Sequence, residues 1–404
     1  MLAAEVASLT ADTSATTPLV DRVLSIDDVT LGGPKQGYLM RYRGRLRGDS
    51  AEAYDQLAVS LRPLELTPLF RKEKDQHVIF LINSLAKPKP SNPWINLGLF
   101  VLTLFSMIFA GAFASYSGSA SSISDLLLGI LAHLGAGIPF AASLLAILLA
   151  HEFGHYLAGR SHKTMVTLPY FLPFPISPFG TMGAFIQLKE PPKNKRILLD
   201  IGIAGPLAGL VVAIPVLLIG LSLSHIEPIF VAQGAGFQME GNSILYLLSK
   251  FAVFGQWLPS PSSYGGLHPL VYWIRFFFTG QPMPIGGMDV MIHPIAFAGW
   301  AGLLVTSLNL IPAGQLDGGH LLYGLVGVRA RMLLPFILGG LVLLGFVWSG
   351  WWLWAFLIFL LGRLYAEPLD QITPLDTKRK VIAVIGLIVF VLVFTPVPLV
   401  FAMG

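Results

Sequence analysis

The sequence predicts a polytopic α-helical membrane protein of about seven transmembrane helices with a re-entrant β segment, preceded by a small N-terminal α+β cytosolic domain. Three observations predict it. Of the 404 residues, 54% are hydrophobic and only 12% charged, about half the roughly 25% charge of a soluble domain. Seven apolar runs follow residue 93, most of them near the ~20 residues that cross a bilayer. All but Lys250 and Arg275 of the 26 Lys and Arg fall on one side of the membrane once those runs are threaded through it, the bias expected of cytosolic loops. Disorder, collagen and nucleic-acid-binding arrays are excluded by the same composition. Cysteine is absent, which excludes disulfide scaffolds, cysteine nucleophiles and thiolate metal sites. The net charge of +4 says less than where the charges sit.

Residues 1–93 hold no long apolar run. Met1–Val20 contains Glu5 and Asp12 and lacks a basic start followed by an apolar core, so it does not read as a signal peptide. Nor is it Arg-rich, which argues against a transit peptide. The N-terminus is therefore expected in the cytosol, and a prokaryotic plasma membrane is favoured, with an organelle membrane left open. Gly37–Gly44 alternates as a strand does, Ser50–Leu61 reads as a helix capped by Asp49 or Ser50, and Leu64–Phe70 and Val78–Ile82 read as further strands. Arg41, Arg43, Arg45 and Arg47 have period two and share one strand face. With no aromatic on it, that face suits acidic headgroups rather than nucleic acid.

From residue 94 to 404 the chain reads as one membrane-embedded domain without internal repeat or low-complexity linker. The expected spans are Leu97–Tyr116, Gly137–Ala158, Leu198–Leu223, Pro294–Pro312, Met332–Ser349, Gly350–Leu361 and Val381–Met403, the Trp-rich sixth being the shortest. The loops 159–197, 313–331 and 363–380 then join the N-terminus inside, and 224–293 lies outside. Ile123–Leu134 and Ser243–Phe254 are too short to cross and are expected as interfacial or re-entrant helices. Phe276–Phe278 reads as an interfacial anchor. Asp200, near Lys195 and Arg196, reads as a local ion pair.

Chemistry is concentrated in two spans. His151-Glu152-Phe153-Gly154-His155 ends the second. Histidines at i and i+4 share one helix face, so both imidazoles can reach one metal, and Glu152 projects beside them where it can accept a proton from an activated water. Ionisable groups at such depth are costly and usually functional. Two imidazoles do not complete a catalytic zinc site, which commonly has three protein ligands. Asp317, in Asn309-Leu-Ile-Pro-Ala-Gly-Gln-Leu-Asp-Gly-Gly319 at the inner end of the fourth span, is the third candidate at the same level. Pro312 and Gly314 break the helix so that the chain can turn back, and Gly318 and Gly319 permit close approach. Alone, Asp-Gly-Gly is a common turn; beside a metal-ready histidine pair it reads as a ligand. His320, next after the Asp-Gly-Gly, reads as a satisfied interfacial histidine rather than a partner supporting the ligands, and His133 and His293 read as structural.

These residues carry a resemblance. HEFGH in a membrane helix, followed far on by Asn309-Leu-Ile-Pro and Leu316-Asp-Gly-Gly in another, resembles the site-2 protease family of intramembrane zinc metalloproteases. Ile292–Gly302, Leu168–Pro173 and Phe179–Ala184 resemble its plastid and cyanobacterial branch. The likeness covers about 97–403. It implies cleavage of transmembrane protein substrates within the bilayer, one zinc per chain held by His151, His155 and Asp317, and Glu152 as general base. Asn309 matches a position associated with holding the substrate backbone, or else it caps a helix beside Pro312. Gly180–Leu188, including Thr181, Met182, Gly183, Ala184 and Phe185, fits an edge strand that extends an unwound substrate, or else a re-entrant loop. Gly209 stands where many members carry asparagine, so that residue's polar role is missing. Residues 224–293 contain no convincing PDZ-like strand set.

The partners so implied are a transmembrane substrate and the lipid bilayer, without nucleic acid; the oligomeric state is left open. Alternative functions are a membrane zinc transporter and a noncatalytic zinc-binding scaffold. A transporter needs a chain of polar ligands along a path, whereas the sequence offers one cluster; the intact Glu152 argues against a scaffold.

Overall fold

The computed structural model describes residues 13–33, 36–85, 90–118, 121–230, 236–362 and 365–403. Glu5, Asp12 and Arg363, used in the topology reading, lie outside them.

The chain begins with helix α1 (Thr13–Asp21), strands β1 (Leu24–Leu31) and β2 (Met40–Leu46), helix α2 (Ser50–Leu61) and strands β3 (Leu66–Glu73) and β4 (Gln76–Asn83). The strands form one antiparallel sheet in the order β1-β2-β4-β3. Asp49 starts α2 by accepting from the Ala51 and Glu52 amides at 2.9 and 3.2 Å, which satisfies donors that no helical carbonyl can reach. Tyr54, Leu57 and Leu61 of α2 pack on Tyr42, Phe70 and Ile79 of the sheet. α1 and β1 are not among the expected elements. β1 leaves most of its residues open and carries Asp27 and Asp28 in its middle, so the alternation that identifies a half-buried strand is weak.

This unit does not close on itself at residue 93. Its core takes in Leu369 and Ile372, and the segment around them straps it to the rest. The Phe70 amide donates to Leu369 O at 2.9 Å and the Gln371 amide to Phe70 O at 3.0 Å, while Leu369 and Asp370 donate to Pro192 O and Lys193 O at 3.0 and 2.8 Å. The Asp370 carboxylate accepts from the Ile372 and Thr373 amides, and burial nevertheless raises its pKa above the usual carboxylate range.

The remaining elements are α3 (Pro93–Ser115), α4 (Ile123–Ala132), α5 (Ile138–Ser161), β5 (Tyr170–Pro173), β6 (Thr181–Phe185), α6 (Lys195–Ser222), β7 (His225–Pro228), β8 (Gly236–Glu240), α7 (Ile244–Phe254), α8 (Pro269–Thr279), β9 (Met288–Met291), α9 (Pro294–Asn309), α10 (Asp317–Val326), α11 (Ala330–Gly345), α12 (Gly350–Leu361), α13 (Thr377–Val393) and β10 (Leu399–Met403). Among the described residues four helical stretches are long and apolar enough to cross a membrane: Pro93–Ser115, Leu134–Ser161, Lys195–Ser222 and Asp317–Gly345. α9 and α12 are apolar but shorter, as are α4 and α7. Each of the seven expected runs holds a helix, so the places agree while the lengths vary. Leu144, Leu148, Leu217, Trp300 and Leu303 lie in the apolar core that α5, α6 and α9 share.

Four expectations change. Residues 313–331, expected as a loop, contain α10. The last run stops as helix at Val393; Pro396 and Pro398 follow, which cannot continue a helix, and Leu399–Met403 instead pairs antiparallel with β8. Asp200 does not pair with its sequence neighbours: Arg379 of α13 donates to both its oxygens at 2.9 and 2.6 Å, and His162 lies 2.9 Å away. The Phe276–Phe278 triplet is split, Phe276 being buried with Tyr272 and Met239 while Phe278 is exposed.

Lys250 is fully buried, its Nζ 3.2 Å from Asp289 Oδ1 and 4.6 Å from the centroid of the Tyr246 ring. Removing one member of such a pair leaves a buried charge uncompensated, at a cost of about 3–5 kcal/mol. Lys250→Met is expected to lower the thermal unfolding temperature in detergent markedly, and adding Asp289→Leu to restore most of it. A single variant that melts with the wild type would show that the pair carries no stability.

Candidate metal centre

α5 carries His151, Glu152 and His155, all buried, and the four-residue spacing sets the two imidazoles one turn apart, 4.9 Å between ring centroids. The His155 Nδ1 lies 2.7 Å from Ile201 O. A carbonyl only accepts, so Nδ1 carries the hydrogen and the neutral ring presents its Nε2 as a lone pair. That nitrogen faces His151 Nε2 at 3.2 Å and Asp317 Oδ2 at 3.3 Å, and His151 Nε2 is also 3.3 Å from the same oxygen.

Electron-rich atoms gathered this closely repel one another unless a cation sits among them. The spacing fits one. Ligands at about 2.0–2.1 Å from a tetrahedral metal lie about 3.3 Å apart, the separation of all three pairs here. Among the described residues these three form the group able to hold a metal ion.

Close approach of α6 makes room for the rings. A Cβ at Gly205 would lie 2.1 Å from His155 Nε2, and one at Gly209 would lie 3.2 Å from His151 Nδ1. Position 209 therefore stands against a metal-ready ring. Asp317 reaches the rings from the other side of a broken helix. α9 ends at Asn309, the chain turns through Pro312 and Gly314 (φ +56°), and Asp317 is the first residue of α10. A Cβ on Gly318 would fall 1.9 Å from Leu310 O, so only glycine lets α10 start here.

The three ligand candidates line a cavity of about 180 Å³ with Glu152, Asn309, His320, Ala184 and Phe185. Glu152 Oε2 is buried there without a hydrogen-bond partner. Asn309 Nδ2 lies 3.3 Å from His151 Nε2, so its amide belongs to the cavity wall. β6 pairs with β5 along one edge, and its other edge has no strand beside it among the described residues. Of the six residues singled out in 180–185, Ala184 and Phe185 reach the cavity. Thr181 is committed internally, donating to Leu172 O and accepting from the Gly183 amide at 2.9 Å each. Gly180 and Gly183 take positive φ and shape the hairpin, and Met182 is exposed.

His320, read from the sequence as a satisfied interfacial histidine, also lines this cavity. It is not a satisfied histidine, because its Nδ1 is buried without a partner. Its spacing three after Asp317, which puts both on one helix face, was the available signal.

The profile of Peptidase family M50 matches residues 139–347. The chain is 30% identical over 338 residues to the probable zinc metalloprotease EGY1, chloroplastic, of Arabidopsis thaliana, covering 78% of this chain and 56% of that protein. It is 30% identical over 391 residues to the protein of that name from Oryza sativa subsp. japonica, covering 88% and 62%. To the probable zinc metalloprotease EGY2, chloroplastic, of Arabidopsis thaliana it is 28% identical over 384 residues, covering 92% and 63%. The chain thus spans less than two thirds of the length of these relatives. No solved structure matches.

If the glycine face of α6 is what admits the rings, Gly205→Ala must displace His155. Elemental analysis of the purified protein is expected to find the stoichiometric divalent metal lost from Gly205→Ala and largely kept in Gly209→Ala, where the contact is 1.1 Å looser by the distances above. Equal retention in both would refute the packing argument.

Proposed function

The chain belongs to Peptidase family M50, and from that premise we propose that it is an intramembrane zinc endopeptidase that hydrolyses peptide bonds in or near transmembrane segments of membrane proteins, a step of regulated intramembrane proteolysis. The observation that carries the reading is the convergence of His151, His155 and Asp317 on one point with the unpartnered Glu152 carboxylate in the same cavity. His151, His155 and Asp317 hold one zinc. Zinc bound there supplies the positive charge that makes a water acidic near neutral pH and polarises the scissile carbonyl. Glu152 takes the water's proton and returns it to the departing amine.

A peptide bond inside a lipid-embedded helix is hydrogen-bonded and shielded from water, so the substrate must unwind before it is cut. The free edge of β6 offers main-chain partners to the unwound stretch, with Gly180–Phe185 as the contact segment and Asn309 holding the backbone next to the metal. In this frame the helices from α3 onward form the membrane domain of about seven spans, the β5–β6 hairpin re-enters it, and residues 1–93 form the cytosolic domain. The expected prokaryotic plasma membrane finds no support among the relatives, which are named chloroplastic; an organelle membrane is the reading carried forward. A transporter would need further ligand groups along a path, and the described residues hold one such group.

Glu152→Gln is expected to lower cleavage of a single-span test substrate in detergent by about 10²–10⁴-fold while zinc stays bound. His151→Ala, His155→Ala and Asp317→Ala are each expected to lose zinc. Full activity in Glu152→Gln would refute the assigned base, and unchanged metal in all three ligand variants would remove the site.

A further inference from the structure

Two of the polar atoms lining the metal-site cavity are buried and unpartnered, and they are of opposite kinds. Glu152 Oε2 can only accept when ionised; the His320 imidazole can donate from Nδ1. An unpaired buried group of this sort is costly, so a fold that keeps two in one cavity of about 180 Å³ keeps them for a visitor. Hydrolysis of an amide makes two matching demands at one place. A water proton needs an acceptor, and the carbonyl oxygen gains negative charge that needs a donor.

The fold makes specific room for this ring. His320 lies one turn along α10 from Asp317, and α6 presents Gly202 where it packs: a Cβ there would lie 2.8 Å from the His320 Cβ. Two neighbouring donors are already engaged. The His155 Nδ1 is taken by Ile201 O, and the Asn309 amide lies against His151. His320 also lines the neighbouring cavity of about 790 Å³, together with Phe185 and Gln315, so it stands where the metal-site cavity meets a larger one.

We propose that His320 is a further catalytic residue, whose imidazole N–H hydrogen-bonds the scissile carbonyl oxygen and strengthens that bond as the oxygen becomes an oxyanion. This rests on the hydrolase reading above. The water oxygen bonds to the carbonyl carbon while its proton passes to Glu152. The carbonyl π pair moves onto the oxygen held by His320. When that pair returns, the C–N bond breaks and its electrons take the proton from Glu152, leaving a carboxylic acid and an amine. His320 keeps its own proton throughout and acts as a neutral donor.

The test uses the full chain, zinc-loaded, in nanodiscs, with a single-span substrate and a phosphinic-peptide analogue of its cleavage site. Loss of one oxyanion donor typically lowers kcat about 10²–10³-fold. His320→Ala is expected to show such a fall in kcat, with KM changed less than about threefold, zinc content unchanged and affinity for the phosphinic peptide falling in step with kcat/KM. His320→Gln, which fills similar space and keeps an N–H donor, is expected to recover part of kcat, and it decides the matter if the alanine variant does not fold. Unchanged kcat, zinc lost along with activity, or undiminished affinity for the phosphinic peptide would overturn the assignment. An inactive wild type would sink the hydrolase reading itself, whereas an active wild type with an equally active His320→Ala sinks this proposal alone.

Discussion

Two imidazole nitrogens and a carboxylate oxygen stand 3.2–3.3 Å apart inside an apolar helix bundle. In water such a cluster would be screened; in a low-dielectric interior its repulsion is several times larger, and only a cation at the centre turns it into an attraction. Much of the surrounding fold follows from that demand. α6 must come close enough to exclude solvent and yet leave space for two rings, which accounts for glycine at 205 and 209 under them. The His155 ring must hold one tautomer, which Ile201 O secures from the same helix.

The carboxylate presents a harder geometric problem, because it belongs to a different helix. A continuous helix through 309–326 would carry Asp317 two turns beyond Asn309, away from the rings. Ending α9 at Asn309 and restarting at Asp317 brings the chain back, at the cost of irregular backbone in an apolar setting. That backbone is satisfied locally: the Ala313 amide donates to Ile311 O at 2.7 Å, Leu316 to Ala313 O at 3.2 Å and His320 to Leu316 O at 3.1 Å. The break also sets Asp317 at the positive end of the α10 dipole, where an ionised carboxylate is favoured. One interruption therefore brings the candidate ligand to the rings.

What was legible in the sequence follows from range. The His151–His155 pair is a four-residue regularity, and Asp49 capping α2 is a two-residue one; both are local and both are where the sequence puts them. Asp317 was legible for a different reason, since an acid in a Pro- and Gly-broken segment at the end of an apolar run has few structural uses. Long-range pairings were not. Nothing near Asp200 announces Arg379, 179 positions away, and Lys195 and Arg196 were nearer candidates. α10 was hidden because Gly318 and Gly319 argue against a helix locally, and only their close approach to Leu310 O and Gly314 O explains them. β1 was hidden by its exposure. Phe276 and Phe278 differ only in which side of α8 they occupy, which the triplet cannot state.

The N-terminal unit enters the same reasoning through α6. Its sheet edge at Phe70 is bonded to Leu369 and Gln371, and Leu369 and Asp370 are bonded to Pro192 and Lys193, directly before α6 begins at Lys195. α6 is the helix whose glycine face and Ile201 carbonyl position both imidazoles. The residues leading into it, Lys189–Pro192, also line the larger cavity beside the metal site, together with Ala366 and Glu367. A single strap of backbone hydrogen bonds therefore joins the N-terminal core, the wall of that cavity and the helix beneath the metal-ready rings. Displacing the unit would strip partners from Phe70, Leu369 and Gln371 at once, so the unit and the strap that leads to α6 hold their positions together.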